Sequence, residues 1–257
     1  FDSICTAFGT AGTGGFGVYN DSMGSFSPYL QNVVTIFMVL FGINFNFYFF
    51  LLVKEVREAF AMEEVRWYLI IFAAATLMIA ANLTIVQGGS PFYHLHHSAF
   101  QVASVMTTTG FATVDFNLWP NFSRSILVVL MFIGACAGST GGGMKVLRYI
   151  IYFKTLRKEL STLIHPRSVK VIQCDGKAVD HDTIRSANIY LIAYIFIYML
   201  SVLLISFDKF DLTTNFTAVA ATFNNIGPGL NVVGPTGNFA GFSMFSKIVL
   251  IFDMLAG

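Results

Sequence analysis

Ser104-Val105-Met106-Thr107-Thr108-Thr109-Gly110-Phe111-Ala112-Thr113-Val114-Asp115 is too polar and too glycine-broken to continue a membrane helix, yet strongly apolar segments flank it on both sides. The stretch has two echoes. Upstream stands Gly12-Thr13-Gly14-Gly15-Phe16-Gly17, and downstream, more loosely, Phe223-Asn224-Asn225-Ile226-Gly227-Pro228-Gly229. With Gly15, Gly110 and Gly227 aligned, a small polar residue (Thr13, Thr108, Asn225) stands two places before each, and a short Ala/Val/Thr/Phe-rich stretch leads in. The wide spacing makes the repeat a whole structural unit. A polar glycine loop recurring beside membrane spans is what a path lined by backbone carbonyls needs.

The composition puts those spans in a bilayer. Apolar residues fill 55% of 257 positions, 28 of them Phe, and only 11% are charged. Cys5, Cys136 and Cys174 lie far apart without a paired motif, which argues against a disulfide scaffold or a zinc site. The chain opens in mid-pattern and stops at Leu255-Ala256-Gly257 without a boundary signal, so a piece of a longer polypeptide is expected.

Phe1 to Thr10 reads as a short helix running into the first loop. Long uncharged runs follow at Asn32–Val53, Trp67–Val86, Ser125–Met144 and Ser186–Phe207, each near the ~20 residues that cross a bilayer. A fifth, Phe239–Leu255, carries Lys247 and Asp253. The third run breaks into Gly134-Ala135-Cys136-Ala137-Gly138-Ser139-Thr140-Gly141-Gly142-Gly143 before resuming at Met144. Of the 15 basic residues, 12 fall in the segments Lys54–Arg66 and Lys145–Arg185, leaving Arg124, Lys209 and Lys247 opposite. The excess of Lys and Arg in cytoplasmic segments predicts that these two segments are cytoplasmic and that all three glycine loops face outside. Tyr93–Thr107 and Leu212–Asn224 are too short and amphipathic to cross, and fit half-helices that enter from outside and turn at the loop. Val169 to Val179 alternates around Asp175-Gly176, a hairpin signal on the cytoplasmic side. It is a docking surface or simply a compact loop.

These residues together resemble the TrkH/KtrB family of potassium transporters. The matching stretches are Thr13-Gly14-Gly15-Phe16-Gly17, Thr108-Thr109-Gly110-Phe111-Ala112-Thr113, Asn225-Ile226-Gly227-Pro228-Gly229 and the broken helix Gly138 to Lys145. The resemblance implies an all-α membrane protein built as a pseudo-fourfold repeat of helix, re-entrant pore loop and helix, like a potassium channel, with the first unit absent here. In that frame 1–53 supplies a second-unit pore loop and its helix. The third unit, with its filter loop and gating helix, is 54–160. A cytoplasmic segment with the hairpin spans 161–185, and 186–257 is a fourth unit cut before the last-helix arginine that the family usually carries.

The resemblance assigns a potassium filter to Thr13, Gly14, Gly15, Phe16, Thr108, Thr109, Gly110, Phe111, Asn225, Ile226, Gly227 and Pro228. The chemistry suits: a dehydrated potassium ion needs a ring of oxygen dipoles, and glycine lets successive carbonyls turn inward. Half-helices aimed at the ion bring their negative ends near it. Gly138, Ser139, Thr140, Gly141, Gly142 and Gly143 read as a gate loop below the filter, with a glycine-rich packing kink as the other reading. Lys145 and Arg148 follow at the cytoplasmic mouth, as gate sensors or as flanking charges without a function of their own. Asp21 and Asp115 follow their loops and either raise local cation concentration or cap turns. The resemblance further implies potassium uptake into the cell, a homodimer in the plasma membrane, and a TrkA/KtrA-like cytoplasmic subunit that binds a nucleotide. It implies no cofactor, no nucleic-acid partner and no metal other than the transported potassium.

Other readings are weaker. A sodium-permeable relative of the same fold differs only in filter chemistry, and glycine at all three visible filter positions favours potassium. A membrane-embedded hydrolase using Ser139 or the cluster His94, His96 and His97 needs paired ionisable groups at membrane depth, which the uncharged runs lack apart from Asp253. Lys145 is followed by Val146, so Gly138–Lys145 is no phosphate-binding loop. Ala137 to Gly141 lacks the leading glycine of a nucleophile elbow. The histidines fit structural hydrogen bonds better than a metal site.

Overall fold

The computed structural model describes residues 1–165 and 171–257, and among these nearly all regular structure is helical. α1 (Asp2–Ala11) leads into the first glycine loop. α2 (Pro28–Phe41) starts with proline in its first turn and Ser27 capping from outside, its hydroxyl accepting from the Leu30 N–H at 3.4 Å. The apolar run expected as one span at Asn32–Val53 is not straight. It bends by 89° at Gly42–Asn44 into α3 (Phe45–Leu52). Short α4 (Val56–Ala61) precedes α5 (Glu63–Gln87), which is longer than the expected Trp67–Val86 and includes both glutamates.

α6 (Pro91–Met106) is the half-helix before the second loop, and it packs along α5 and α2. α7 (Asn121–Ile133) ends at Gly134, whose φ of 73° only glycine adopts without strain. An irregular segment follows, and the chain becomes helical again in α8 (Val146–Ile164), two residues later than the sequence suggested. The hairpin is present. β1 (Gln173–Cys174) pairs antiparallel with β2 (Lys177–Ala178) through Asp175-Gly176, both with positive φ, as a tight primed turn requires. Val169 and Lys170, the first residues of that expected hairpin, lie outside the described residues. α9 (His181–Ile205) is the second long apolar helix; α10 (Leu212–Phe223) is the half-helix before the third loop, and α11 (Met244–Ala256) packs against both.

Burial follows membrane logic rather than soluble logic. The half-helices α6 and α10 are enclosed: Val102 to Met106 and Val219 to Ala221 are each at most 1% exposed. The long helices turn large apolar side chains outward, as Ile192, Phe196 and Leu203 do on α9, which is stable only where lipid covers them. Asp253 of α11 is buried and accepts a hydrogen bond from the Ser201 hydroxyl of α9 at 2.6 Å.

Candidate ion pathway and its gate loop

The three glycine loops share the same pattern of hydrogen bonds up to the residue before each glycine. Each half-helix ends on a residue whose N–H reaches four residues back: Gly12 to Phe8, Thr107 to Ala103 and Asn224 to Ala220. The next residue turns left-handed, with φ of 49° at Thr13, 57° at Thr108 and 54° at Asn225. Its N–H reaches three residues back, to Thr10, Val105 and Thr222. The N–H after that returns five residues, Gly14 to Gly9, Thr109 to Ser104 and Ile226 to Ala221, at 2.8–2.9 Å. Then come the glycines, at φ 66° (Gly15), 85° (Gly110) and 103° (Gly227).

This geometry has a chemical consequence. The half-helix carbonyls absorb the loop N–H groups, while the carbonyls of Thr13, Gly14, Gly15, Thr108, Thr109, Gly110, Asn225, Ile226 and Gly227 accept no hydrogen bond from any described residue. Backbone carbonyls left unpaired in a protein interior need another electropositive partner. Alternating the sign of φ also lets successive peptide planes face the same way, which a regular strand does not.

The loops stand side by side in one register. A Cβ on Gly15 would lie 1.7 Å from the Thr109 carbonyl oxygen, and one on Gly110 would lie 2.0 Å from that of Ile226. Each glycine thus faces the residue preceding the next loop's glycine, which is what rotation about a common axis produces. The arc is open at its Gly227 end, where no described residue lies within 4 Å of a Cβ. Phe111 is 1% exposed, with its ring against Gly9 of the preceding half-helix, whereas Phe16 is 84% exposed.

The segment Gly138–Gly143 lies directly against the inner ends of these loops. The Gly142 N–H donates to the Thr108 hydroxyl at 2.6 Å, and the Thr13 hydroxyl donates to the Thr140 carbonyl at 2.9 Å. Gly141 and Gly142 fit because they lack side chains: a Cβ on either would come within 2.9 Å of the Thr107 or Asn224 carbonyl oxygen. The Lys145 ammonium donates back to the Gly141 carbonyl. Arg148 hydrogen-bonds the Met144 carbonyl and stacks over Tyr190.

Asp115 caps the turn after its loop. It accepts from the Asn117 N–H at 3.0 Å and from the Thr236 hydroxyl at 3.2 Å. Asp21 is exposed and accepts from the Ser25 hydroxyl. Asp115 thus caps its turn through a backbone N–H, whereas the Asp21 carboxylate is held by a side-chain hydroxyl alone. The histidines are tied into the scaffold: His94 bonds the Gly88 carbonyl, His96 both Gln31 and Asn32, and His97 the Thr113 hydroxyl. Among the described residues no group of three or more His, Cys, Asp or Glu side chains could hold a metal ion.

One participant was missed in the sequence. Glu64, only 3% exposed, accepts hydrogen bonds from Ala137 and Leu147 on either side of the irregular segment. An acidic pair opening a helix is ordinary, so nothing in Glu63-Glu64 marks the second as special.

Comparison with known proteins agrees with this architecture. The family model TrkH, described as a cation transport protein, matches residues 1–257. The chain belongs to the TrkH family. TrkH proteins are transporters rather than enzymes, and this member is accordingly a membrane protein. It is 34% identical over its whole length to the Trk system potassium uptake protein TrkH of Salmonella typhimurium, covering 53% of that protein. It is 30% identical to the Trk system potassium uptake protein TrkG of Escherichia coli, again over its whole length and 53% of the relative. The crystal structure of the potassium transporter TrkH from Vibrio parahaemolyticus superposes with a TM-score of 0.90 at 33% identity, over all of this chain and 55% of that one. The chain spans about half the length of the curated relatives it matches.

Proposed function

We propose that this chain supplies three walls of a potassium-selective pathway, with Thr13–Phe16, Thr108–Phe111 and Asn225–Pro228 as filter and Gly138–Gly143 as the gate beneath it. The observation that carries the reading is the set of nine loop carbonyls without hydrogen-bond donors, set in one register by glycines that tolerate no side chain at Gly15 and Gly110. Oxygen dipoles in that density suit a dehydrated monovalent cation. The names of the TrkH and TrkG relatives favour potassium over sodium and uptake as the activity. The open sides at Gly227 and Phe16 suit a fourth, equivalent unit elsewhere in the full protein, completing the ring.

In this mechanism potassium enters from outside, trades its hydration shell for carbonyls, and is held near the negative ends of α1, α6 and α10. Asp21 and Asp115 add negative potential at the outer mouth while keeping their hydrogen bonds to Ser25, Asn117 and Thr236. Below, the Gly138–Gly143 segment blocks exit until it withdraws. The basic cytoplasmic face, with the hairpin docked on it, suits a nucleotide-binding regulatory subunit of TrkA/KtrA type, and assembly as a homodimer in the plasma membrane fits the same reading. The 1–53, 54–160, 161–185 and 186–257 divisions are then successive parts of that assembly.

The test is potassium uptake by the full-length protein in cells lacking their own uptake systems. Growth at low potassium and a preference for potassium over sodium are expected. Failure of a well-expressed protein, together with its regulatory subunit, to rescue growth overturns the reading.

A further inference from the structure

We infer that Glu64 is a latch that holds the Gly138–Gly143 loop in the blocking position. The inference rests on the gate reading above and adds what keeps the gate shut.

Glu64 sits in the first turn of α5, across from both ends of the loop. Its Oε1 accepts from the Ala137 N–H at 2.6 Å and from the Leu147 N–H at 3.2 Å. Its Oε2 faces the Asn44 amide nitrogen at 3.4 Å. Asn44 is fixed in turn, because its Oδ1 caps α3 through the Asn46 N–H at 2.9 Å. The bend between α2 and α3 is stitched to the same place: Cys136 N–H donates to the Gly42 carbonyl and Phe45 N–H to the Gly138 carbonyl, each at 3.0 Å. One buried carboxylate therefore grips the chain just before the loop, at Ala137, and in the first turn of α8, at Leu147, and ties both to the corner of a neighbouring helix.

The charge gives the grip its direction. Among the described residues the one ion pair joins Lys154 to Glu63, and no described basic side chain comes within salt-bridge distance of Glu64. Its compensation comes from N–H groups, two of which belong to the strands of chain that must move if the loop withdraws. A buried carboxylate stripped of its donors is costly, so opening is opposed until something else, such as water entering the widened path, takes over those contacts. The loop also touches the filter through Thr13 and Thr108, the α2 end through the Thr140 hydroxyl on the Phe41 carbonyl at 3.4 Å, and Lys145 through the Gly141 carbonyl, but these contacts hold its middle rather than the chain that flanks it.

The test uses the full-length protein reconstituted in vesicles without a regulatory subunit, and compares wild type with Glu64→Gln, Glu64→Ala, Asn44→Ala and a chain lacking Ser139–Gly142. Rubidium flux, the potassium/sodium ratio and the rate at which a water-soluble thiol reagent modifies Ser139→Cys in a cysteine-free background are measured. Glu64→Ala is expected to raise basal flux about tenfold, the change produced by losing ~1.4 kcal/mol of charge-assisted hydrogen bonding. It should also accelerate thiol modification at an unchanged potassium/sodium ratio. Glu64→Gln keeps an acceptor for the two N–H groups but opposes its amide to that of Asn44, and should fall between wild type and Glu64→Ala. Wild-type flux and labelling in both Glu64 variants, with raised flux in the shortened loop, overturn the latch and leave the gate standing. Unchanged flux in the shortened loop overturns the gate and the latch with it. Lower flux without faster labelling in the Glu64 variants marks a merely structural role and also overturns the latch. Should neither Glu64 variant reach the membrane, Asn44→Ala decides: faster labelling supports the latch, and wild-type labelling overturns it.

Discussion

Gly110 and Gly88 both sit at positive φ, 85° and 69°, yet they answer to different forces. A Cβ on Gly110 would meet the Ile226 carbonyl oxygen at 2.0 Å, whereas one on Gly88 meets nothing within 4 Å. Gly88→Ala costs only backbone strain, about 1 kcal/mol, and should leave potassium uptake by the full-length protein near wild type. Gly110→Ala must push two glycine loops apart and, if these are the proposed filter, should lower uptake at least about tenfold or erase potassium/sodium discrimination, since displaced carbonyls no longer match the ion. Equal behaviour of the two variants would remove Gly110 from the filter. The glycine was legible in the sequence because its type and repeat imply an unusual backbone. Glu64 was not, since its role depends on Ala137 and Leu147 being brought to it by the fold. Asp211 is the N-cap of α10: its carboxylate accepts from the Thr214 hydroxyl and, at 3.3 Å, from the Thr214 N–H. The Thr214 hydroxyl bond is the first cause holding its pKa below the ordinary value. A depressed folded-state pKa means the stabilisation is complete above the unfolded value and disappears as pH falls through the folded one. Asp211→Ala should therefore melt below wild type at pH 6, by a gap that an N-cap of about 1 kcal/mol sets. That gap should narrow as the pH drops below about 4, which thermal denaturation in detergent across that range would measure.

Elements were read well where composition changes and poorly where it does not. The half-helices, the hairpin at Asp175-Gly176 and the break after Ile133 all announce themselves by glycine or polarity, and the structure has each of them. The 89° bend at Gly42–Asn44 lies inside a run that is apolar on both sides, so hydropathy treats it as a single span. What makes the bend is tertiary. A Cβ on Gly42 would lie 2.3 Å from the Tyr68 hydroxyl and 2.8 Å from Thr107 Cγ2, and the corner is hydrogen-bonded to Cys136 and Gly138. Gly42→Ala should destabilise the protein by about 1–3 kcal/mol through overpacking. Tyr68→Phe removes the nearer atom, at the loss of a hydrogen bond to the Val39 carbonyl. The double variant should then be more stable than the two single effects predict, by a coupling of about 0.5 kcal/mol or more. Strict additivity in thermal or denaturant unfolding would mean that the corner is not held by this contact.

At the scale of the whole molecule, the proposed orientation rests on charge placement, because the bilayer sorts Lys and Arg irrespective of side-chain packing. Most basic residues cluster on the side that carries α4, α8 and the hairpin. There Asp175 accepts from the Glu63 N–H at 2.6 Å, and Lys154 bridges Glu63 and the Gln173 carbonyl. The segments joining the glycine loops to the following helices hold each other on the opposite side through Asn117 and Asn231, whose N–H donates to the Asn117 side chain at 2.8 Å. This polarity decides whether the carbonyl loops face the medium or the cell, and so whether the pathway loads from outside. Lys177 in the hairpin and Asn238 before α11 are both exposed and lie on opposite sides in this scheme. In full-length protein without other cysteines, an impermeant maleimide added to intact cells should label Asn238→Cys rapidly and Lys177→Cys only after permeabilisation. The reverse pattern would turn the filter toward the cytoplasm and the latch toward the medium, so that ions would meet the closed gate before the filter.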